Sequence, residues 1–104
     1  MKIVKSVLVA SLALLSFCVQ AATGEEIMTK SGCMACHTKD KKLVGPALKD
    51  IAAKYKGQDV LAKLLPKVRA GGPGGWGPIP MSPNPVEKIS DADLKTAVEW
   101  ILKL

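Results

Sequence analysis

An all-α domain of about four short helices is the fold class this sequence predicts, and three observations predict it. Apolar residues recur at helical spacing in three segments, a capping box and a terminating glycine bound a fourth, and runs of strand-like alternation are few. Beyond the first 21 residues there is no Phe, and the only aromatics are Tyr55, Trp76 and Trp100. A chain this short and this poor in large side chains has little apolar volume for a core, so a bound group is expected to help fill the centre.

The N-terminus is read first. Lys2 and Lys5 precede an almost uninterrupted apolar run, Val7 to Val19, which ends in Gln20-Ala21-Ala22. Charged start, apolar middle and small-residue end are the parts of a secretory signal peptide, and the run is too short to span a bilayer comfortably. The expected division is therefore 1–21 as a cleaved signal peptide and 22–104 as the mature domain, with Val19 and Ala21 as the cleavage pair. Cys18 is read as an apolar member of the signal, because Phe17 stands where lipidation requires a small residue. Export leaves two cysteines and predicts a periplasmic protein.

Thr23 with Glu26 has the form of a capping box, and Gly32 is a terminator, so the first helix is expected over Gly24 to Ser31. Pro46 is expected to open the second, where Leu48, Ile51, Ala52 and Tyr55 share a face before Gly57. Leu61, Leu64, Leu65 and Val68 mark a third that ends at Gly71-Gly72, with Pro66 expected to kink or divide it. The fourth runs from Ser90 to about Lys103, capped by Ser90 and Asp93, with Leu94, Val98, Ile101 and Leu102 on its apolar face. Trp100, which neighbours that face, is expected in the core. Residues 71–85 are dense in Gly and Pro; with only one helix after them they cannot link two domains and are expected to pack on the same core in extended geometry.

Chemistry enters at Cys33-Met34-Ala35-Cys36-His37. Two thiols at this spacing can each add to a vinyl group of a protoporphyrin, and the adjacent imidazole then meets the iron. One haem c, held through thioethers to Cys33 and Cys36 with His37 as proximal ligand, is the cofactor this motif predicts. Met81, in Pro80-Met81-Ser82-Pro83-Asn84, lies 44 positions beyond His37, far enough to reach the opposite face of the ring. Met34 is trapped between the cysteines, and Met28 belongs to the first helix. His37 and Met81 are thus the expected metal ligands, and a closed His/Met shell favours electron transfer over substrate chemistry.

Three motifs in register, Cys33 to His37, Val44-Gly45-Pro46-Ala47, and Trp76 to Asn84, resemble the small bacterial class I cytochromes c of the cytochrome c-551 type. The resemblance covers essentially all of 22–104. It implies a class I cytochrome c fold wrapped around one covalently attached haem, with the N- and C-terminal helices crossing. It further implies that the Pro46 carbonyl accepts the imidazole proton, that Trp76 donates its indole N–H to a propionate, and that Asn84 lies by the methionine sulfur. A basic side chain near the end of the third helix often meets a propionate in this family, a part open to Lys67 or Arg69. The Gly-rich approach at 72–75 and Pro66 depart from the family pattern.

Net charge is +6, falling to +4 without Lys2 and Lys5. No basic stripe with interleaved aromatics suggests nucleic acid. Lys30, Lys39, Lys41 and Lys42 suit a rim around an exposed haem edge, for brief contacts with redox proteins. The expected function is a periplasmic monohaem electron shuttle, not an enzyme, and the resemblance implies a membrane cytochrome complex as donor and a nitrite reductase, terminal oxidase or peroxidase as acceptor. The alternatives are a haem-based gas sensor or peroxidase-like enzyme, which needs an openable sixth iron position, and a haem-free thiol oxidoreductase, which would cycle a Cys33–Cys36 disulfide.

Overall fold

A computed structural model describes residues 11–18 and 20–104. Lys2, Lys5, the start of the apolar run and Val19 of the expected cleavage pair lie outside the described residues. Residues 11–18 and 20–23 are exposed and belong to no helix or strand.

Four α-helices follow: α1 (Gly24–Lys30), α2 (Leu48–Lys54), α3 (Leu61–Ala70) and α4 (Asp91–Leu102), with a short 3-10 turn at Cys33–Ala35. The capping box of α1 forms as expected. Thr23 Oγ1 accepts from the Glu26 N–H, and the Glu26 carboxylate accepts from the Thr23 N–H. Ser90 caps α4 by accepting from Asp93 N–H, and Asp91 and Asp93 place negative charge in the first turn, where the helix dipole favours it.

The start of α2 differs from expectation. Pro46 lies outside the helix, Ala47 is its extended N-cap, and no side chain caps it. Its first donors are satisfied by the preceding loop instead: Leu48 N–H donates to Thr38 O at 2.9 Å and Lys49 N–H to Lys39 O at 3.1 Å. Helix α3 also departs, since Pro66 neither ends nor divides it. Pro66 and Ala62, whose carbonyl loses its helical donor to the ring, are both on the exposed face, where water can satisfy that carbonyl.

The Gly/Pro segment is extended, and more ordered than prolines alone dictate. Gly72–Gly74 (β1) and Gly77–Met81 (β2) pair antiparallel, Gly72 opposite Met81 and Gly74 opposite Gly77, with an irregularity between. Gly75 and Trp76 form the turn. With Pro73, Pro78 and Pro80 in it, such a ribbon has few donors to offer a third strand.

Helix α4 is the hub, packing against α1, α2 and α3. The buried core is small: Ile27 and Met28 from α1, Leu48 from α2, Ile89, and Leu94, Ala97 and Val98 from α4. Among the described residues, only Leu48 of the large side chains is fully enclosed. Trp100 is half-buried, a partial departure from the expected core position: it packs on this cluster while Lys39 Nζ stands 5.6 Å from its ring centroid. The apolar row of α3, Leu61, Leu64, Leu65 and Val68, is only half-buried although it faces inward. A helix with an apolar stripe and no fully buried residue faces a space that protein atoms do not fill.

Candidate haem site

That space is a cleft of about 670 Å³, within the ~300–1,000 Å³ range of small-molecule and cofactor sites. Cys33, Cys36 and His37 line it together with Leu48 and Ile51 of α2, Leu64 and Val68 of α3, Leu94, Val98 and Ile101 of α4, and the hairpin from Gly72 to Met81.

The His37 side is built by backbone. The 3-10 turn sets Cys33 and Cys36 one turn apart, and His37 N–H donates to Cys33 O at 3.1 Å. Gly45 N–H donates to Cys36 O at 2.8 Å, which folds the Val44–Ala47 stretch back over the imidazole. His37 Nδ1 then lies 2.8 Å from Pro46 O. A carbonyl only accepts, so Nδ1 carries the proton and the neutral ring keeps its lone pair on Nε2, the tautomer a metal-binding imidazole needs. A Cβ at Gly45 would stand 2.5 Å from His37 Cε1, so only glycine lets the chain pass this close to the ring. Cys33 and Cys36 are free thiols, and burial pushes the Cys33 thiol up from its ordinary value.

On the hairpin side, Met81 ends β2 at a half-buried position on the cleft. Gly71 has φ +67, and a Cβ there would overlap Met81 O and the Ser82 carbonyl carbon, so the tight pass between α3 and the segment after β2 requires glycine. Asn84 is buried, and its Nδ2 donates to Val68 O at 3.0 Å and Ser82 O at 3.1 Å. Trp76 sits on the cleft at the hairpin turn, 39% exposed, with Lys54 Nζ 4.5 Å from its ring centroid.

All seven residues singled out in the sequence, Cys33, Cys36, His37, Pro46, Trp76, Met81 and Asn84, line this one cleft, as does Met28. Met28 is 2% exposed and packed in the core cluster. Lys67 lines the cleft and donates to the carbonyls of Gly71, Gly72 and Pro73 at 2.9–3.0 Å, whereas the Arg69 guanidinium is engaged elsewhere, on Asn84 O, Ile89 O and Asp91. Gly45 and Lys54 had no assigned part in the sequence reading. Gly45 sits inside a quoted motif, but a role set by ring contact carries no periodicity, and Lys54 is one lysine among many.

The cytochrome c family model matches residues 21–104. The chain belongs to the cytochrome c family. It is 53% identical over 81 residues to a cytochrome c-551 of Azotobacter vinelandii, covering 77% of this chain and 95% of that protein. It is 46% identical over 79 residues to cytochrome c-551 of Pseudomonas aeruginosa, covering 75% and 73%. The crystal structure of Nitrosomonas europaea cytochrome c552 superposes with a TM-score of 0.69 at 48% identity, covering 76% of this chain and 96% of that one.

This cytochrome therefore has the class I fold, mainly α, and binds one covalent haem c as a monohaem electron-transfer protein. Its residues fit that group: an apolar cleft, two thiols and an imidazole of the correct tautomer at one side, and a thioether at the hairpin.

Proposed function

We propose that this cytochrome is a periplasmic shuttle that carries single electrons between a membrane cytochrome complex and a nitrite reductase, terminal oxidase or peroxidase, and transforms no substrate of its own. Residues 1–21 are removed on export as a signal peptide. Cys33 and Cys36 would hold the haem through thioethers, and His37 and Met81 would ligate its iron. The observation that carries the reading is the shared lining of one apolar cleft by His37, its Nδ1 held by Pro46 O at 2.8 Å, and Met81.

The bound haem supplies a one-electron ferric/ferrous couple. The chain's own residues keep that couple simple. Pro46 fixes the imidazole direction, Gly45 presses on its face, and Asn84 holds the Met81 segment against α3, so neither ligand side chain has freedom to leave. Leu48, Leu64, Val68, Leu94 and Val98 exclude water, which favours the less charged centre. Trp76 on the cleft, with Lys54 over the indole, suits ionised propionates.

Partner contact belongs to the cleft mouth. Val44 (47%), Ile79 (62%) and Trp76 (39%) are exposed apolar residues there. Of the lysines expected at its rim, Lys42 lines the cleft but Lys30, Lys39 and Lys41 do not, and Lys39 is held by Glu25 at 3.5 Å and by Trp100; Lys54, Lys63, Lys67 and Lys88 line it instead. A small apolar patch with scattered positive charge favours fast, brief encounters.

The test is Met81→Ala beside Met28→Ala. Met81→Ala is expected to keep haem attached by intact mass, lose the ferric sulfur-to-iron charge-transfer band, admit carbon monoxide and show a lower midpoint potential, because thioether ligation favours the ferrous state. Met28→Ala is expected to do none of these. A Met81 variant that keeps the band and excludes carbon monoxide refutes the ligand assignment.

A further inference from the structure

We propose that Arg69 is a positioning residue for Met81: its guanidinium ties the loop that follows the methionine to the start of α4, and so keeps the thioether in the cleft. The proposal rests on the reading of Met81 as an iron ligand.

Arg69 meets the 84–91 loop at both ends. Its backbone carbonyl accepts from Asn84 N–H at 3.1 Å, and its Nη1 donates to Asn84 O at 3.0 Å, so the two residues exchange bonds. The same Nη1 donates to Ile89 O at 2.6 Å, and Nη2 donates to Asp91 Oδ1 at 2.6 Å. Three acceptors on residues 84, 89 and 91 are gathered by one planar fork. A lysine offers a single nitrogen and cannot span them in this way.

The parts of this network differ in weight. Asp91 is 88% exposed, so its ion pair is largely screened by water. The Arg69 side chain is only 21% exposed, and its bonds to the two carbonyls are charge-assisted and partly buried, which makes them the stronger members.

The geometry reaches Met81 through a short, stiff connection. Asn84 follows Met81 by three residues, a span of at most about 11 Å fully extended, and Pro83 restricts it further. Upstream, Met81 is paired with Gly72 of β1. Met81 is therefore held on both sides, by the ribbon before it and by the Arg69–Asn84 exchange after it. Ile89, buried in the core beneath α4, anchors the far end of the same loop.

The experiment compares the haem-loaded wild type, Arg69→Met, Arg69→Lys and Met81→Ala by the ferric charge-transfer band, carbon monoxide binding to the ferrous protein, and hydrogen exchange at the Asn84 amide. Arg69→Met is expected to retain attached haem, speed Asn84 exchange about tenfold, weaken the band and bind carbon monoxide measurably. Arg69→Lys is expected to lie between it and wild type, with Asn84 exchange about threefold faster than wild type. If Arg69→Met folds poorly, the lysine variant decides. A variant with full band intensity and wild-type exclusion of carbon monoxide, even with a lower denaturant midpoint, makes Arg69 purely structural and overturns the proposal. If wild type lacks the band, or Met81→Ala retains it, the ligand reading itself fails and this proposal fails with it.

Discussion

The Trp100 side chain occupies the space that a Cβ at Gly24 would need: an added methyl there would overlap Trp100 Cβ and Cγ. The first residue of α1 and the last turn of α4 are therefore in backbone-to-ring contact, and this close approach brings Ile27 and Met28 onto Leu94 and Val98. Gly24→Ala tests it. In an exposed helix that change would stabilise by up to about 1 kcal/mol, but here overpacking is expected to win and destabilise by about 1–3 kcal/mol in denaturant melts. In a Trp100→Ala background the same substitution is expected to become neutral or stabilising, and a cycle without such coupling would remove the contact from the argument.

Trp100→Ala alone is expected to cost about 3 kcal/mol, the lower end for loss of a large aromatic, because one side of the ring is turned to Lys39 and solvent. A change within about 0.5 kcal/mol, the scale of surface substitutions, would place the ring outside the packing that joins α1 to α4.

Gly45→Ala puts a methyl 2.5 Å from His37 Cε1 and 2.9 Å from Nδ1. The ring has to turn or the loop has to move, and either loosens the Pro46 bond. The expected result is about 1–3 kcal/mol of destabilisation, together with a changed nuclear magnetic resonance shift for the His37 ring N–H. An unmoved ring proton would mean that the loop yields without disturbing the imidazole.

Pro66→Ala restores a donor for the Ala62 carbonyl within α3. Proline in a helix interior costs about 3 kcal/mol, offset in part by the restricted unfolded chain and by water at this exposed face. The variant is expected to be more stable by about 1 kcal/mol, by thermal and urea unfolding; a loss of stability would show that α3 needs the proline's shape.

Asp40 accepts from Lys49 Nζ at 2.6 Å, and this bond, with the charges of Lys49, Lys39 and Lys41, holds its carboxyl below the usual carboxylate range. A depressed folded pKa gives stability that is present above the unfolded value of ~3.9 and lost as pH falls through the lower folded one. Since the group is exposed, the effect is small and screened by salt. Asp40→Asn is expected to lower the urea midpoint slightly at pH 6 in low salt, with the gap closing at pH 2 and in 1 M sodium chloride. A gap that persists at pH 2 would assign the effect to geometry and not to charge.

Local signals were legible in the chain before any tertiary contact was known. The Thr23–Glu26 box and the Ser90 cap involve residues three apart, and the apolar spacings of α2 and α4 repeat within a few turns, so each can be recognised from its own segment. Cys33 to His37 is readable for the same reason, because attachment chemistry demands a fixed short spacing, and its resemblance with two further motifs carried the fold class. What tertiary structure alone decided rests on partners distant in sequence. Pro46 lost its expected place in α2 because its carbonyl meets His37 and the first donors of α2 meet Thr38 and Lys39. Pro66 was tolerated because folding turned its face to water. Where the two basic residues at the end of α3 reach also depended on packing: Lys67 onto the carbonyls of Gly71, Gly72 and Pro73 beside the cleft, Arg69 onto a loop 15 to 22 positions away. A side chain's direction follows from packing among distant segments, and no short-range pattern of residues encodes it.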